Sequence, residues 1–179
     1  MGRYHIADPF LRFYYRFIAP QRAEVGYRPE DVLTNIQDHL RSFVGATAFE
    51  ELCREWVSRA ERMPFRPQQV GSHWSRQVQV DVMAVSWRDR AILVGECKWG
   101  ADKVPRETLI DFLEDATPKL LSDLAAQDID WRVHHVMFSR AGFTPAAQTW
   151  ARERSWILVD LGQLDRDLSR PRRGLAHIA

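Results

Sequence analysis

Several common functional signatures are missing from this sequence of 179 residues. There is no Gly-x-x-x-x-Gly-Lys-Ser/Thr segment, which excludes a P-loop nucleotide site within the chain. There is neither a Cys-x-x-Cys pair for a zinc site nor the Gly-x-Ser-x-Gly elbow of a serine hydrolase. No membrane span, signal peptide or lipidation motif is present, so we expect a cytoplasmic protein that does not bind membranes.

Cysteine and net charge are also scarce. The two cysteines, Cys53 and Cys97, read as small core residues rather than as a disulfide framework. With 25 Lys and Arg against 24 Asp and Glu, the formal charge is +1, so nucleic acid would have to be bound by a local patch. Hydrophobic residues make up 45% of the chain, which suffices for one compact domain with a core and an appended segment.

Two neighbouring segments have the composition of β-strands. Residues 77–85 and 91–99 are rich in β-branched and apolar side chains, and the polar stretch 87–90 between them suits a hairpin loop. A loop of either two or four residues gives the same register. That register places Asp81 opposite Glu96, Gln79 opposite Lys98 and Met83 opposite Val94.

The register would put Asp81, Glu96 and Lys98 on one face of the hairpin, since strand side chains alternate. Opposed carboxylates repel and need a counter-charge, which a divalent cation supplies. A solvated strand end neutralised by the lysine is the other interpretation of the same residues. The apolar residues that precede Glu96 favour a buried setting, and the pattern of the motif leaves both interpretations open.

At these residues the chain resembles the PD-(D/E)XK phosphodiesterase superfamily, with Asp81 as the first acid and Glu96-Cys97-Lys98 as the (D/E)XK element. Val80 stands where the proline that names the motif would be. More narrowly, four segments resemble the C-terminal nuclease-like domain, called domain of unknown function 234, of archaeal-type DEXX-box ATPases. These segments are residues 4–17, 49–53, 95–99 and 138–143.

The superfamily uses a further acid on its first core helix. An apolar stripe follows residues 45–47 and predicts this helix; it comprises Phe49, Leu52, Cys53, Trp56, Val57, Ala60 and Met63. Glu50 falls at the edge of the stripe and Glu51 on the opposite face. Glu50 is therefore the candidate acid, although the helix dipole also favours an ordinary acid in a first turn.

The remaining elements predict an α/β fold with a restriction-endonuclease-like αβββαβ core, a mixed central sheet flanked by helices, and an N-terminal helical extension. We expect residues 1–44 to form the aromatic and helical extension, 45–165 the nuclease-like domain and 166–179 a basic tail. The extension includes a helix over 29–44. Its aromatic cluster is expected to pack as core, with base stacking as the alternative. In the resembling ATPases such a segment follows a winged-helix module, so the chain looks like a piece of a longer architecture.

Beyond the hairpin, helical crossovers should connect parallel strands. A helix begins near Pro105 and should end at Pro118. Thr144 and Pro145 should begin another helix, which ends near Arg154. The first strand is predicted at 70–74, a second helical stretch at 119–127, and further strands at 131–138 and 156–159.

Four other residues are candidates for contacting nucleic acid. His73 precedes the hairpin and could reach a substrate, although a lone histidine is more often structural. Arg140 follows a predicted strand and could contact a phosphate, or lie on the surface without a role. Arg172 and Arg173 belong to a basic tail of the kind that contacts phosphate backbones, and such tails are also often without function.

The resemblance implies a Mg²⁺- or Mn²⁺-dependent endonuclease. Asp81, Glu96 and the Cys97 carbonyl would hold the ion, Lys98 would orient water or stabilise developing charge, and Glu50 would complete the acidic cluster. The expected partners are nucleic acid, with DNA favoured, an ATPase, and a second copy of the chain. The alternative is a non-catalytic regulatory or binding module of an ATPase.

Overall fold

The computed structural model describes residues 6–61, 63–125 and 129–170. The chain divides into two compact units, Met1–Ala48 and Phe49–Ala179. In the described parts of the chain, no helix combines the length and the apolar character needed to cross a membrane. The candidate residues Arg172 and Arg173 lie outside the described residues.

The first unit is helical. Helix α1 (Pro9–Phe13) begins where the Asp8 side chain accepts a hydrogen bond from the Leu11 amide at 2.9 Å, and it continues as a π-helical turn (Tyr14–Ile18). Short 3₁₀ turns at Ala19–Gln21 and Glu24–Gly26 lead to helix α2 (Pro29–Thr47). Proline in the first turn of α2 confirms the predicted start, and the helix ends three residues later than expected.

The aromatic cluster of this unit is only partly core. Phe17 is 1% exposed, and its ring lies 5.2 Å from those of both Phe13 and Phe43. Phe10 and Tyr15 are exposed, so the prediction that the whole cluster packs as core is wrong for these two. Tyr15 is two residues from both Phe13 and Phe17 and so lies on the opposite side of its turn, where a helix with one buried stripe leaves it exposed. Phe10, at the start of α1, stacks on Tyr14 with 6.5 Å between the ring centroids.

The second unit is a mixed α/β structure around one five-stranded sheet with the strand order β1-β2-β3-β4-β5. Strands β1, β2 and β3 are antiparallel, and β3, β4 and β5 are parallel. The predicted order of helix, three strands, helix and strand is therefore observed. The strands are Gln69–Trp74, Gln79–Ser86, Ala91–Lys98, Arg132–Ser139 and Ile157–Asp160, and the helices are α3 (Phe49–Arg59), α4 (Arg106–Asp111), α5 (Thr117–Leu124), α6 (Pro145–Glu153) and α7 (Leu161–Leu168).

The β2–β3 hairpin has the predicted register over most of its length. Met83 pairs with Val94, and a four-residue loop joins Ser86 to Ala91. The paired positions run from Ser86 and Ala91 to Val82 and Gly95. The predicted pairs of Asp81 with Glu96 and Gln79 with Lys98 are wrong, because the ladder ends before them.

A β-bulge in β2 explains this early end. On the β1 side, Gly71 pairs with Met83 and His73 pairs with Val80, so Asp81 and Val82 together face the single residue between Gly71 and His73. The bulge reverses the alternation of side chains, since Val80 packs in the core with α4 and α5 while Val82 packs in the core with α3. Bulges commonly re-aim a side chain next to a functional site.

The crossover between β3 and β4 differs from its prediction. Pro118 does not end the helix, because a π-helical turn (Phe112–Ala116) joins α4 to α5 without a break. The Thr117 amide donates to the carbonyl of Phe112, and Pro118 then lies in the first turn of α5, where its missing N–H is not needed.

Helices cover both faces of the sheet. The side chains of α4, α5 and α6 pack on one face, and those of α3 and α7 on the other. Helix α7 was not predicted from the sequence. Gly95 of β3 lies close to side chains of the two neighbouring strands. A Cβ at this position would come within 2.5 Å of Val136 Cγ1 and 3.2 Å of Val82 Cβ.

Candidate active site

Glu96 and Lys98 lie at the carboxyl end of β3, where the strand leaves the core. The residues from Ala91 to Gly95 are buried, whereas Glu96 and Lys98 are half-buried. Alternation places both side chains on the same face. Lys98 Nζ donates to Glu96 Oε1 at 2.9 Å, so the two charges form an ion pair at the end of the strand.

Asp81 is fixed at the point where β2 and β3 separate. Its side chain is almost fully buried, and Oδ2 accepts a hydrogen bond from the Cys97 amide at 3.0 Å. Oδ1 accepts from Gln79 Nε2 at 3.4 Å. The Asp81 carboxylate thus replaces a backbone acceptor of the interrupted ladder and holds the segment that carries Glu96 and Lys98.

Helix α3 supplies the third acid and a cation that connects it to the strand. Arg54 Nη1 donates to the Asp81 carbonyl oxygen at 2.8 Å and lies 3.4 Å from Glu50 Oε2. Glu50 is half-buried, whereas Glu51 is exposed, as the helical stripe predicts. The role of Arg54 was missed in the sequence, although its position four residues after Glu50 is a signal for a helical ion pair.

The carboxylates of Asp81 and Glu50 are close enough to repel the carboxylate of Glu96. Burial raises the pKa of Glu96, and the negative charges of Asp81 and Glu50 raise it further, while Lys98 opposes the shift. The Cys97 thiol, on the other side of β3, has a pKa raised by its hydrogen bond with Cys53 and by burial. Both cysteines are free thiols; Cys53 is buried in the core and Cys97 packs against it.

A cleft of about 950 Å³ opens beside this end of the sheet. Its walls are the β1–β2 turn, the end of β3 and the helix that follows. Acids outnumber bases among its lining side chains. The ionisable ones are Glu96, Asp102, Asp111, Glu114, Asp115, Lys98 and Lys103.

The oxygen donors at this end of the sheet are few. Within residues 6–61, 63–125 and 129–170, no three His, Cys, Asp or Glu side chains are grouped so as to hold a metal together. Asp81 and Glu96 nevertheless offer two carboxylates in mutual repulsion, and the Cys97 carbonyl is an adjacent oxygen donor. Mg²⁺ is commonly bound through one or two carboxylates together with water and substrate phosphates.

The segment that contains the candidate site matches a known protein family. The family model of DUF234, described as archaeal and bacterial proteins of unknown function, matches residues 14–109, just over half of the chain. The chain belongs to the DUF234 family. All four predicted catalytic residues, Glu50, Asp81, Glu96 and Lys98, fall inside the matched segment.

A curated relative extends the match to a longer protein. This DUF234 chain is 29% identical over 101 residues to the uncharacterized protein MJECL04 of Methanocaldococcus jannaschii. The alignment covers 55% of this chain and 23% of the relative, so the chain spans less than a quarter of that protein's length. No solved structure matches the chain.

The other predicted contacts of this DUF234 chain lie apart from the acids. His73 Nε2 is 2.9 Å from Asp123 Oδ2 on α5, so its ring is used to attach β1 to that helix. Arg140 Nε donates to the carbonyls of Trp99 and Gly100 at 3.0 and 3.2 Å, and its guanidinium lies over the Trp99 ring. Arg140 thus supports the loop that follows β3, whereas His73 supports the end of β1.

Proposed function

We propose that this chain is a metal-dependent nuclease of the PD-(D/E)XK type, which hydrolyses phosphodiester bonds of nucleic acid. The observation that supports it best is the pairing of two repelling carboxylates, Asp81 and Glu96, with Lys98 at the edge of an open cleft. Two like charges brought close together repel, and a bound cation would offset that repulsion.

The arrangement of elements supports the same proposal. A helix, an antiparallel three-stranded unit, a helical crossover and a parallel strand form the order of the restriction-endonuclease-like core. In that core, the first acid lies on the second strand and the (D/E)XK element on the third. Asp81 is on β2 and Glu96 to Lys98 are on β3, which is compatible with those positions.

Asp81, Glu96 and the Cys97 carbonyl would hold Mg²⁺ or Mn²⁺, which supplies a Lewis acid and lowers the pKa of water at neutral pH. Asp81 also fixes the main chain of Cys97 and thereby the direction of the residues on either side. Lys98, now paired with Glu96, would turn to a phosphate oxygen and stabilise the charge that develops there. Glu50 adds negative potential from α3.

The whole-protein context is part of the proposal. We infer that the module acts with an ATPase, on the resemblance of its four segments to the C-terminal domain of DEXX-box ATPases. DNA is the expected substrate, and cleavage of both strands of a duplex would call for a homodimer.

One observation favours the second candidate, a non-catalytic binding or regulatory module of an ATPase. The oxygens of Asp81 and Oε1 of Glu96 already accept hydrogen bonds from Cys97, Gln79 and Lys98. These bonds satisfy the acids without a metal. In this alternative the set holds the end of β3 in place and performs no chemistry.

Cleavage of labelled DNA and RNA in the presence of Mn²⁺ tests the proposal, with binding of Mn²⁺ measured by calorimetry. The wild type should cleave, and Asp81→Asn and Lys98→Met should each lose about 100-fold or more in rate. Asp81→Asn should also bind Mn²⁺ more weakly, whereas Lys98→Met should keep it. A folded wild type that neither binds Mn²⁺ nor cleaves would overturn the nuclease and favour the binding module.

A further inference from the structure

Trp74 is the most exposed large apolar side chain among the described residues of the unit Phe49–Ala179. It is 77% exposed, whereas Trp87, in the loop between β2 and β3, is 45% exposed. Tryptophan has the largest side chain and is seldom left in water without a partner. Trp74 is therefore a candidate for contact with a ligand.

Its position connects it to the candidate site. Trp74 is the last residue of β1 and pairs directly with Gln79 of β2. Gln79 donates to Asp81 Oδ1 and lines the cleft together with Glu96 and Lys98. One ladder pair and one hydrogen bond thus separate the exposed indole from the first acid.

The turn that presents Trp74 is held rigidly. Ser75 Oγ accepts from the amides of Gln77 and Val78 at 3.1 and 3.2 Å, and the Ser75 amide donates to the Val78 carbonyl at 2.9 Å. The His73 ring, one residue before Trp74, lies 2.9 Å from the Asp123 carboxylate on α5 and ties the end of β1 to that helix. A ligand that binds Trp74 would not have to order this turn first.

The charges around the cleft determine which ligand fits. Five carboxylates and two lysines line it, so the closely spaced phosphates of a duplex would be repelled over most of the cleft. Stacking of a base on an aromatic ring does not depend on charge and works with every base. Arg76, exposed in the same turn, can contact a single phosphate beside a stacked base.

We propose that Trp74 stacks on an unpaired base of the substrate, with Arg76 on the adjoining phosphate, so that the nuclease acts on single-stranded nucleic acid or on single-stranded segments next to a duplex. This inference rests on the proposed function and names its substrate class. It also reassigns His73, which positions the turn through Asp123, while its neighbour Trp74 makes the contact.

Binding and cleavage are measured separately so that the two proposals can fail independently. Binding of fluorescein-labelled oligothymidylate and oligouridylate of 15 nucleotides, about the upper site size of one single-strand-binding fold, is followed by anisotropy in EDTA, with a blunt duplex of the same length as reference. The variants are Trp74→Ala, Trp74→Phe and Arg76→Ala, with Trp87→Ala as the matched control. Thermal unfolding checks that each variant is folded.

Trp74→Ala should weaken single-strand binding about 5- to 100-fold, and Trp74→Phe should recover most of the loss. Trp87→Ala and binding of the duplex should change less than about twofold. Equal losses for Trp74→Ala and Trp87→Ala, or no single-strand binding by the wild type, would overturn the stacking role. If the protein cleaves duplex with metal and Trp74→Ala has no effect, the proposed nuclease is supported and the stacking role of Trp74 is rejected. If binding depends on Trp74 but no cleavage occurs, the stacking role is supported and the proposed nuclease is rejected.

Discussion

The Cys97 amide donates its hydrogen bond to the Asp81 carboxylate, and this contact joins two strands at the point where their backbone ladder has ended. The same side chain is therefore a structural acceptor and a proposed metal ligand. Substitutions that keep or remove the acceptor separate the two roles.

Asp81→Ala should lower the free energy of unfolding by about 1–3 kcal/mol, because the Cys97 amide loses its acceptor in a nearly buried place. Asp81→Asn keeps an oxygen at that position and should be closer to the wild type in stability while still losing Mn²⁺-dependent activity. Urea denaturation of the three proteins measures the difference. Equal stability of the Ala and Asn variants would show that the hydrogen bond from the Cys97 amide makes no net contribution to stability.

Glu50→Gln should reduce Mn²⁺-dependent cleavage about 10- to 100-fold, the usual effect of removing an outer partner of a metal site. The change removes the negative charge that reaches Glu96 and leaves a hydrogen-bond acceptor for Arg54. Glu51→Gln, one residue along and exposed, is the matched control and should be silent. Similar losses of cleavage in both variants would mean that removing any negative charge from α3 lowers activity, and that Glu50 has no specific role.

Gly95→Ala should destabilise the protein by about 1–3 kcal/mol through overpacking. The added Cβ would meet Val136 Cγ1 at 2.5 Å and the Val136 carbonyl oxygen at 3.1 Å. Gly71→Ala, in strand β1, meets nothing within 4 Å and should change stability by less than about 0.5 kcal/mol. Thermal unfolding midpoints of the pair give the comparison, and a neutral Gly95→Ala would contradict the close approach of β3 and β4.

Stability should fall between pH 6.5 and about 4 because of His135. Burial, with a smaller effect of His134, lowers the pKa of His135 from 6.5 to about 4, and its ring stacks flat on Trp156 at 4.5 Å. In that window the unfolded chain binds a proton that the folded chain does not, so the free energy of unfolding decreases with falling pH, by a total on the order of 3 kcal/mol.

His135→Phe keeps an aromatic ring against Trp156 and removes the proton. Chemical denaturation of wild type and variant at a series of pH values should give a smaller slope for the variant between pH 6.5 and 4. Parallel curves would mean that His135 is protonated equally in both states.

Much of the fold could be predicted because the local signals agree with the tertiary structure. Apolar runs interrupted by the polar loop 87–90 determine the hairpin, and Met83 pairs with Val94 as expected. Thr144 accepts from the Ala147 amide at 3.2 Å and begins α6 as a Ser/Thr–Pro start predicts. Such features depend on a few neighbouring residues.

The features that could not be predicted depend on distant partners. The bulge at Asp81 and Val82 is determined by how β1 pairs with β2, and neither residue signals it. Pro118 is accommodated by a π-helical turn whose hydrogen bond reaches back to Phe112. Whether Trp74 is exposed depends on which other elements cover it, and the sequence does not show that. The sequence analysis therefore named the adjacent His73 as the candidate contact with nucleic acid.

The bulge also has a consequence for self-association. Strand β1 is an edge of the sheet, and an edge strand is a template onto which another chain can add a strand. Bulges increase local twist, so the extra residue in β2 disfavours a flat row of donors and acceptors along the six-residue strand β1. Strand addition at β1 is therefore disfavoured, and we expect a homodimer of this protein to form through another surface.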